Sequence, residues 1–194
     1  MDLKAADAQP RGASWFKQAL FTHVHAYWTG GSGRFRTYDD DEKPIRPVEE
    51  FEGLMLNTPA IAALSSALRD HLAAFPTMRM PGAEDFLYWS KEKFGIAPFI
   101  TVTHVVVTCP SDRMCLVASK DVYSSRYIDA SLALTVTSLD AADSRAFYLA
   151  YMNRSRSSSL KGRLSGLRKS IAERRARGGL EETLTRLKRR FETR

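Results

Sequence analysis

After residue 83 the chain runs through five β-like stretches, 86–94, 99–109, 115–123, 127–138 and 146–153. The joins between them are short and mostly rich in Gly, Pro, Ser and Asp. A parallel neighbour needs a crossover of a dozen residues or more, so joins this short leave only antiparallel partners. The spacing predicts a five-stranded antiparallel meander.

Side chains alternate between faces along a strand, so each stretch can be split into two rows. In 99–109 one row holds Ile100, Val102, His104 and Val106, and the other holds Thr101, Thr103, Val105 and Val107. In 127–138 the apolar row is Ile128, Ala130, Leu132, Leu134 and Val136. In 146–153, Phe147, Leu149, Tyr151 and Asn153 alternate with Tyr148, Ala150 and Met152. A sheet with one apolar face needs helices to cover it.

Helical periodicity supplies the cover. Ser14 suits the N-cap of a helix reaching Trp28, with Phe16, Leu20, Val24 and Tyr27 as its stripe. Gly30-Gly31-Ser32-Gly33 follows as a flexible break, and Asp39-Asp40-Asp41-Glu42 before Lys43-Pro44 reads as an exposed acidic turn. A short helical turn fits 48–56. Thr58-Pro59 opens a second helix, because proline suits the first helical position. Its buried face is Ile61, Leu64, Leu68 and Leu72, and Pro76 and Pro81-Gly82 close it. At the C-terminus Leu160, Leu164, Leu167 and Ile171 repeat at helical spacing. After Gly178-Gly179 the same spacing returns in Leu180, Leu184, Leu187 and Phe191. The fold class is α+β: N-terminal helices, a sheet of about five antiparallel strands, and a long amphipathic C-terminal helix broken at the paired glycines. Residues 1–13 form a flexible N-terminus. One domain covers 14–194, with helices in 14–82, the sheet in 83–154 and the basic helix in 155–194.

Composition narrows the function classes. At 194 residues and 44% apolar the chain can bury a core. It has no run of 18 apolar residues and no apolar signal core at its start, so the cytoplasm is the default expectation. Two cysteines exclude a disulfide scaffold and a zinc site built mainly from thiolates. Cys109 and Cys115 flank a loop between two strands, where a hairpin could bring their sulfurs within bonding range; the sequence leaves open whether they are bonded in an oxidising compartment and disfavours a bond in the cytoplasm. The net charge of +7 is uneven. Residues 154–194 hold fourteen basic and four acidic side chains, or +10, against −3 for the remainder. Arg168, Arg174, Arg175, Lys188, Arg189 and Arg190 are the candidates for contact with an anionic surface.

The strands carry the candidate pocket residues. His104 sits in an apolar row, where an imidazole either meets a ligand or pairs with a tyrosine or backbone carbonyl; the paired core histidine is the better-supported reading. Lys120 shares a row with Leu116, Ala118 and Val122. It could reach a ligand carboxylate, although a lysine there more often keeps its amine in water. Asp129 could pair across a hairpin with Tyr123 or Arg126. Tyr88 and Tyr151 suit a ligand pocket by combining an aromatic body with a polar tip, and Asn153 joins them because it shares the row of Phe147, Leu149 and Tyr151, the row expected to face the C-terminal helix. Leu164, Leu167 and Ile171 would close such a pocket from the helix side. His23 and His25 diverge on a helix, and His71 has no acidic partner at i+4, so no metal site is expected. No nucleophile elbow, phosphate loop or dinucleotide fingerprint is present.

Three strings carry a family resemblance. They are Asp85-Phe-Leu-Tyr-Trp-Ser-Lys-Glu-Lys-Phe-Gly95, Ala118-Ser-Lys-Asp-Val-Tyr-Ser-Ser-Arg-Tyr-Ile-Asp-Ala130 and Tyr148-Leu-Ala-Tyr-Met-Asn-Arg-Ser-Arg156. They look like a group of bacterial proteins whose architecture resembles the START-like, or polyketide cyclase (helix-grip), superfamily. The resemblance spans roughly residues 14–192. It implies a sheet wrapped on a long C-terminal helix, with an apolar cavity between them for a lipid-like ligand. The chain departs from that pattern by having five strands and none before the first helix. The implied function is binding or carriage of an apolar small molecule without a cofactor. Docking of the basic helix on an anionic membrane, ahead of nucleic acid, is the alternative. A cyclase- or hydratase-like enzyme on the same scaffold, using His104, Asp129 or Tyr151, is the third reading.

Overall fold

Five strands pair in chain order, each antiparallel to the next. They are β1 (Glu84–Lys93), β2 (Pro98–Ser111), β3 (Met114–Ser124), β4 (Ala130–Leu139) and β5 (Phe147–Arg156). The computed structural model describes residues 8–35, 37–38, 44–93, 98–126, 128–143, 145–158 and 165–192. The chain divides into two compact units, Met1–Arg156 and Ser157–Arg194. The meander of the sequence reading is the observed topology. Cys109 and Cys115 are joined in a disulfide across the β2–β3 turn.

The first unit carries four helices: α1 (Ala8–Gly30), α2 (Pro47–Leu56), α3 (Pro59–Leu64) and α4 (Ser66–Ala74). They cover one face of the sheet. Phe51 and Leu54 of α2, Ile61 of α3, and Leu68 and Leu72 of α4 pack on Val106, Leu116, Ala118, Leu132 and Leu134. Burying each of the larger side chains contributes roughly 2–3 kcal/mol. A second cluster joins Tyr27 of α1 and Phe75 to Val102 and Val122. The opposite face of the sheet carries Tyr88, Thr101, Thr103, Ser119, Ser131, Tyr151 and Asn153. The two faces follow from alternation along each strand, interrupted where the β2–β3 register shifts at Val102/Thr103 and Val122 and Tyr123 both pack on the helix side. His104 lies opposite Lys120, and Lys120 opposite Leu132, on the helix side.

Several expectations change. α1 starts at Ala8 and not at Ser14, so part of 1–13 is helical. Pro10 fits its first turn, where a missing N–H leaves no helical bond unmade. The helix expected from Thr58 is two helices, parted at Ser65, whose extended backbone breaks the run and whose Oγ accepts from Leu68 N–H at 3.1 Å. Gly30-Gly31-Ser32-Gly33 is a packed corner and not a flexible break. Gly31 is buried at φ 75°, and a Cβ there would lie 2.2 Å from the Phe75 carbonyl oxygen. A short 3-10 turn (Ser32–Arg34) follows it. Ile128 precedes β4 and faces away from the Leu132 row.

The second unit is described at residues 157–158 and in α5 (Ser165–Glu192). It runs unbroken through Gly178-Gly179, where a break was expected. Two glycines lower helix stability by about 1 kcal/mol each but keep their N–H groups, so hydrogen bonding continues.

Candidate functional site

Two constellations form, one on each face of the sheet. The first is buried under the helices. Asp85 of β1 accepts from two rings through one oxygen: His71 Nε2 at 2.7 Å and His104 Nε2 at 2.8 Å. His104 Nδ1 meets the Tyr27 hydroxyl at 2.6 Å. His71 Nδ1 accepts the backbone N–H of Met80 at 3.0 Å. Proton positions follow from these partners. Met80 can only donate, so His71 carries its proton on Nε2 and gives it to Asp85. His104 likewise gives Nε2–H to Asp85 and accepts from Tyr27. The chain of bonds runs from Tyr27 through His104 to Asp85, where His71 meets it from the other side.

Burial lowers the His104 pKa to about 4, although Asp85 favours the charged ring and opposes the shift. Burial, and then the charge of Asp85, raises the Tyr27 phenol well above its ordinary range. The neutral forms that the hydrogen bonds require are thus the forms that the environment favours.

Lys120 stands beside this relay. Its side chain is fully buried, and burial lowers its pKa to about 7. It donates to Ser32 Oγ and, at 3.4 Å, to the Leu72 carbonyl. Nζ lies 3.8 Å from the ring centre of Phe51, with Tyr27 and Phe35 at 5.4 and 5.6 Å. These contacts recover part of the cost of burying an ammonium group. The sequence reading gave its amine to water; Ser32 and the ring faces hold it inside.

The ligand atoms of His71, Asp85 and His104 lie within 4.8 Å of one another, so their suitability for a metal is a direct question. A bound ion needs the lone pair of each Nε2. His71 has its lone pair on Nδ1, occupied by Met80. Coordination through Nε2 would place a proton on Nδ1, facing the N–H of Met80. The donor set therefore fits a hydrogen-bonded relay and does not fit a metal centre.

The second constellation is a groove of about 350 Å³ on the open face. Tyr88 and Ser90 of β1, Thr101 and Thr103 of β2, Ser119 and Asp121 of β3, Ser131 of β4, and Tyr151, Asn153 and Ser155 of β5 line it, with Phe99, Ile128 and Ala133 as its apolar members. Hydroxyls, a carboxylate and an amide hold one another: Thr103 donates to the Asp121 carboxylate at 2.8 Å, Ser90 pairs with Thr101 at 2.8 Å, and Ser155 donates to the Asn153 amide oxygen at 2.9 Å. Tyr88 and Tyr151 are partly exposed at the two sides.

The expected pocket set is split between these sites. Tyr88, Tyr151 and Asn153 line the groove. His104 and Lys120 lie on the other face, under helices. His104 follows Thr103 in β2 and so points away from it. Asp129 is in neither site; it lies in the turn before β4, where its N–H donates to the Arg156 carbonyl at 2.9 Å. Leu164 lies outside the described residues, as do the side chains of Leu167, Ile171, Arg168 and Arg175. Arg174, Lys188, Arg189 and Arg190 are exposed on α5. The sequence reading expected a core His104 paired with a tyrosine or a carbonyl, and Tyr27 is that tyrosine; it did not find His71 and Asp85 as partners, since no spacing along the chain brings them together. It also passed over the Thr and Ser rows of β2–β4, for which the polar alternation was the available signal.

Compared with protein-family models, curated proteins and solved structures, the chain matches none.

Proposed function

We propose that this protein is a non-catalytic carrier or receptor for a small molecule held in the groove on the open face of the sheet. The observation that carries the reading is the groove itself, whose volume is within the range of small-molecule sites. Its lining selects the chemistry. Ser, Thr, Asn and Asp side chains form the floor and two tyrosines the sides, which favours a ring-bearing molecule with hydroxyl or amide groups over a hydrocarbon chain. This shifts the lipid-like ligand implied by the START-like resemblance toward a more polar one. The class of activity, small-molecule carriage, is the same.

The buried relay supports a structural role. Its groups satisfy one another, and none of them lines the groove. The Cys109–Cys115 bond supports residence in an oxidising compartment rather than the cytoplasm.

The test is thermal-shift titration with monosaccharides, disaccharides, nucleosides and phenolic glycosides, with fatty acids as the apolar comparison. Mass spectrometry of co-purified material accompanies it. A hydroxylated ring compound is expected to raise the midpoint, and Tyr151→Ala to weaken it about ten-fold or more. Stabilisation by fatty acids alone, or binding that ignores Tyr151→Ala and Asn153→Ala, overturns the polar-groove reading.

A further inference from the structure

The unbroken α5 changes the meaning of its two apolar repeats. An α-helix turns about 100° per residue, so positions twenty residues apart lie about 200° apart around the axis. Positions 167 and 187, and positions 171 and 191, are such pairs. With the helix continuous, positions 167 and 171 fall on nearly the opposite side of the axis from positions 187 and 191, so the later repeat is a face of its own.

The later repeat is Leu180, Leu184, Leu187 and Phe191, spaced 4, 3 and 4, which is the seam of a coiled coil. The three leucines are half-buried and Phe191 is 54% exposed. Charge along the seam is uneven: Glu181 and Glu182 come early, and Arg186, Lys188, Arg189 and Arg190 come late, with Glu192 the one acid among them. A parallel copy would set the basic cluster beside itself. An antiparallel copy sets Leu180 against Phe191 and Leu184 against Leu187. It also places Glu181 beside Lys188 of the second copy, twice by symmetry, and Arg190 beside Thr183. Lys188 has a partner on its own helix, Glu192 at 3.7 Å, but both are exposed and that pair is readily exchanged.

We propose that residues 180–191 form an antiparallel helix pair with a second copy of this chain. Charge complementarity selects the second copy, and it selects the antiparallel direction. An anionic membrane would take the basic cluster but would leave Glu181 and Glu182 facing like charge.

Sedimentation equilibrium of the full chain over a concentration series tests this. A reversible dimer is expected. Leu184→Lys should abolish it, and Glu181→Lys should weaken it about ten-fold. The double change Glu181→Lys with Lys188→Glu should restore it, because the pair re-forms with reversed sign. Unchanged thermal midpoints of the first unit would show that the variants remain folded. A monomer at every concentration, or a dimer that ignores these substitutions, overturns the proposal. So does binding to mixed phosphatidylcholine–phosphatidylserine vesicles without self-association.

Discussion

Lys120 and His104 each carry a proton affinity that the unfolded chain would not show. His104 is held at about 4 against an ordinary 6.5. Between those values the unfolded chain binds a proton that the folded chain refuses, so stability falls as pH drops from 6.5 to 4. Lys120 is held at about 7 against 10.5. The unfolded chain again binds more protons between these values, so stability rises as pH increases from 7 to 10.5. Urea denaturation across pH should show both rises, each on the order of a few kcal/mol. Lys120→Met should flatten the upper window and narrow the lower one only slightly, because burial is the larger cause of the His104 shift and the Lys120 charge a smaller one. A wild-type profile level from pH 7 to 10.5 would contradict the burial of the amine as described.

At the scale of elements, the corner after α1 gives Lys120 its shortest hydrogen bond, the one to Ser32. Gly31 turns the chain at positive φ directly against the Phe75 carbonyl, and the 3-10 turn then presents Ser32 to the amine. Gly31→Ala must combine an unfavourable backbone region with a backbone clash. A loss of about 2–4 kcal/mol is expected in urea denaturation, whereas Gly33→Ala, where a Cβ meets nothing, should change little. That corner also shows where the sequence stopped being readable. Strands were legible because alternation and short joins are local signals: β2 and β3 lie within two residues of their expected bounds. The row containing His104, Val106 and their neighbours was legible for the same reason. A run of glycines, by contrast, reads equally as slack or as a tight approach, and only the neighbouring Phe75 decides. The same limit applies to His71. Its acidic partner is on β1, fourteen residues away in sequence, and the helix offered no partner of its own. For α5, periodicity put Leu180, Leu184 and Leu187 on one half-buried stripe, but whether the helix ran on through the paired glycines was not readable from the sequence.

For the molecule as a whole, the sheet separates two tasks. Adjacent residues of β2 serve different sites: Thr103 faces the groove, and His104 faces the relay. On the proposed carrier reading, groups on the relay side set stability and those on the groove side set binding. Tyr27→Phe leaves the His104 Nδ1 acceptor without its donor and should lower stability by about 1–3 kcal/mol. Its effect on affinity for the ligand found by thermal shift should be negligible. Tyr151→Ala should do the reverse, because its side chain is at the open face. With no shared partner, the two changes should add to within about 0.5 kcal/mol in both measurements. The additivity is the informative part. A catalytic site needs its acid–base groups to reach the bound molecule, so an enzyme using this relay would make Tyr27 and Tyr151 interdependent. A ten-fold loss of affinity in Tyr27→Phe, or strong non-additivity in the double variant, would mean that the relay acts across the sheet and would return the protein to the enzyme class. Independence would place the histidines, the aspartate and the buried lysine in the framework that keeps the groove's floor in shape.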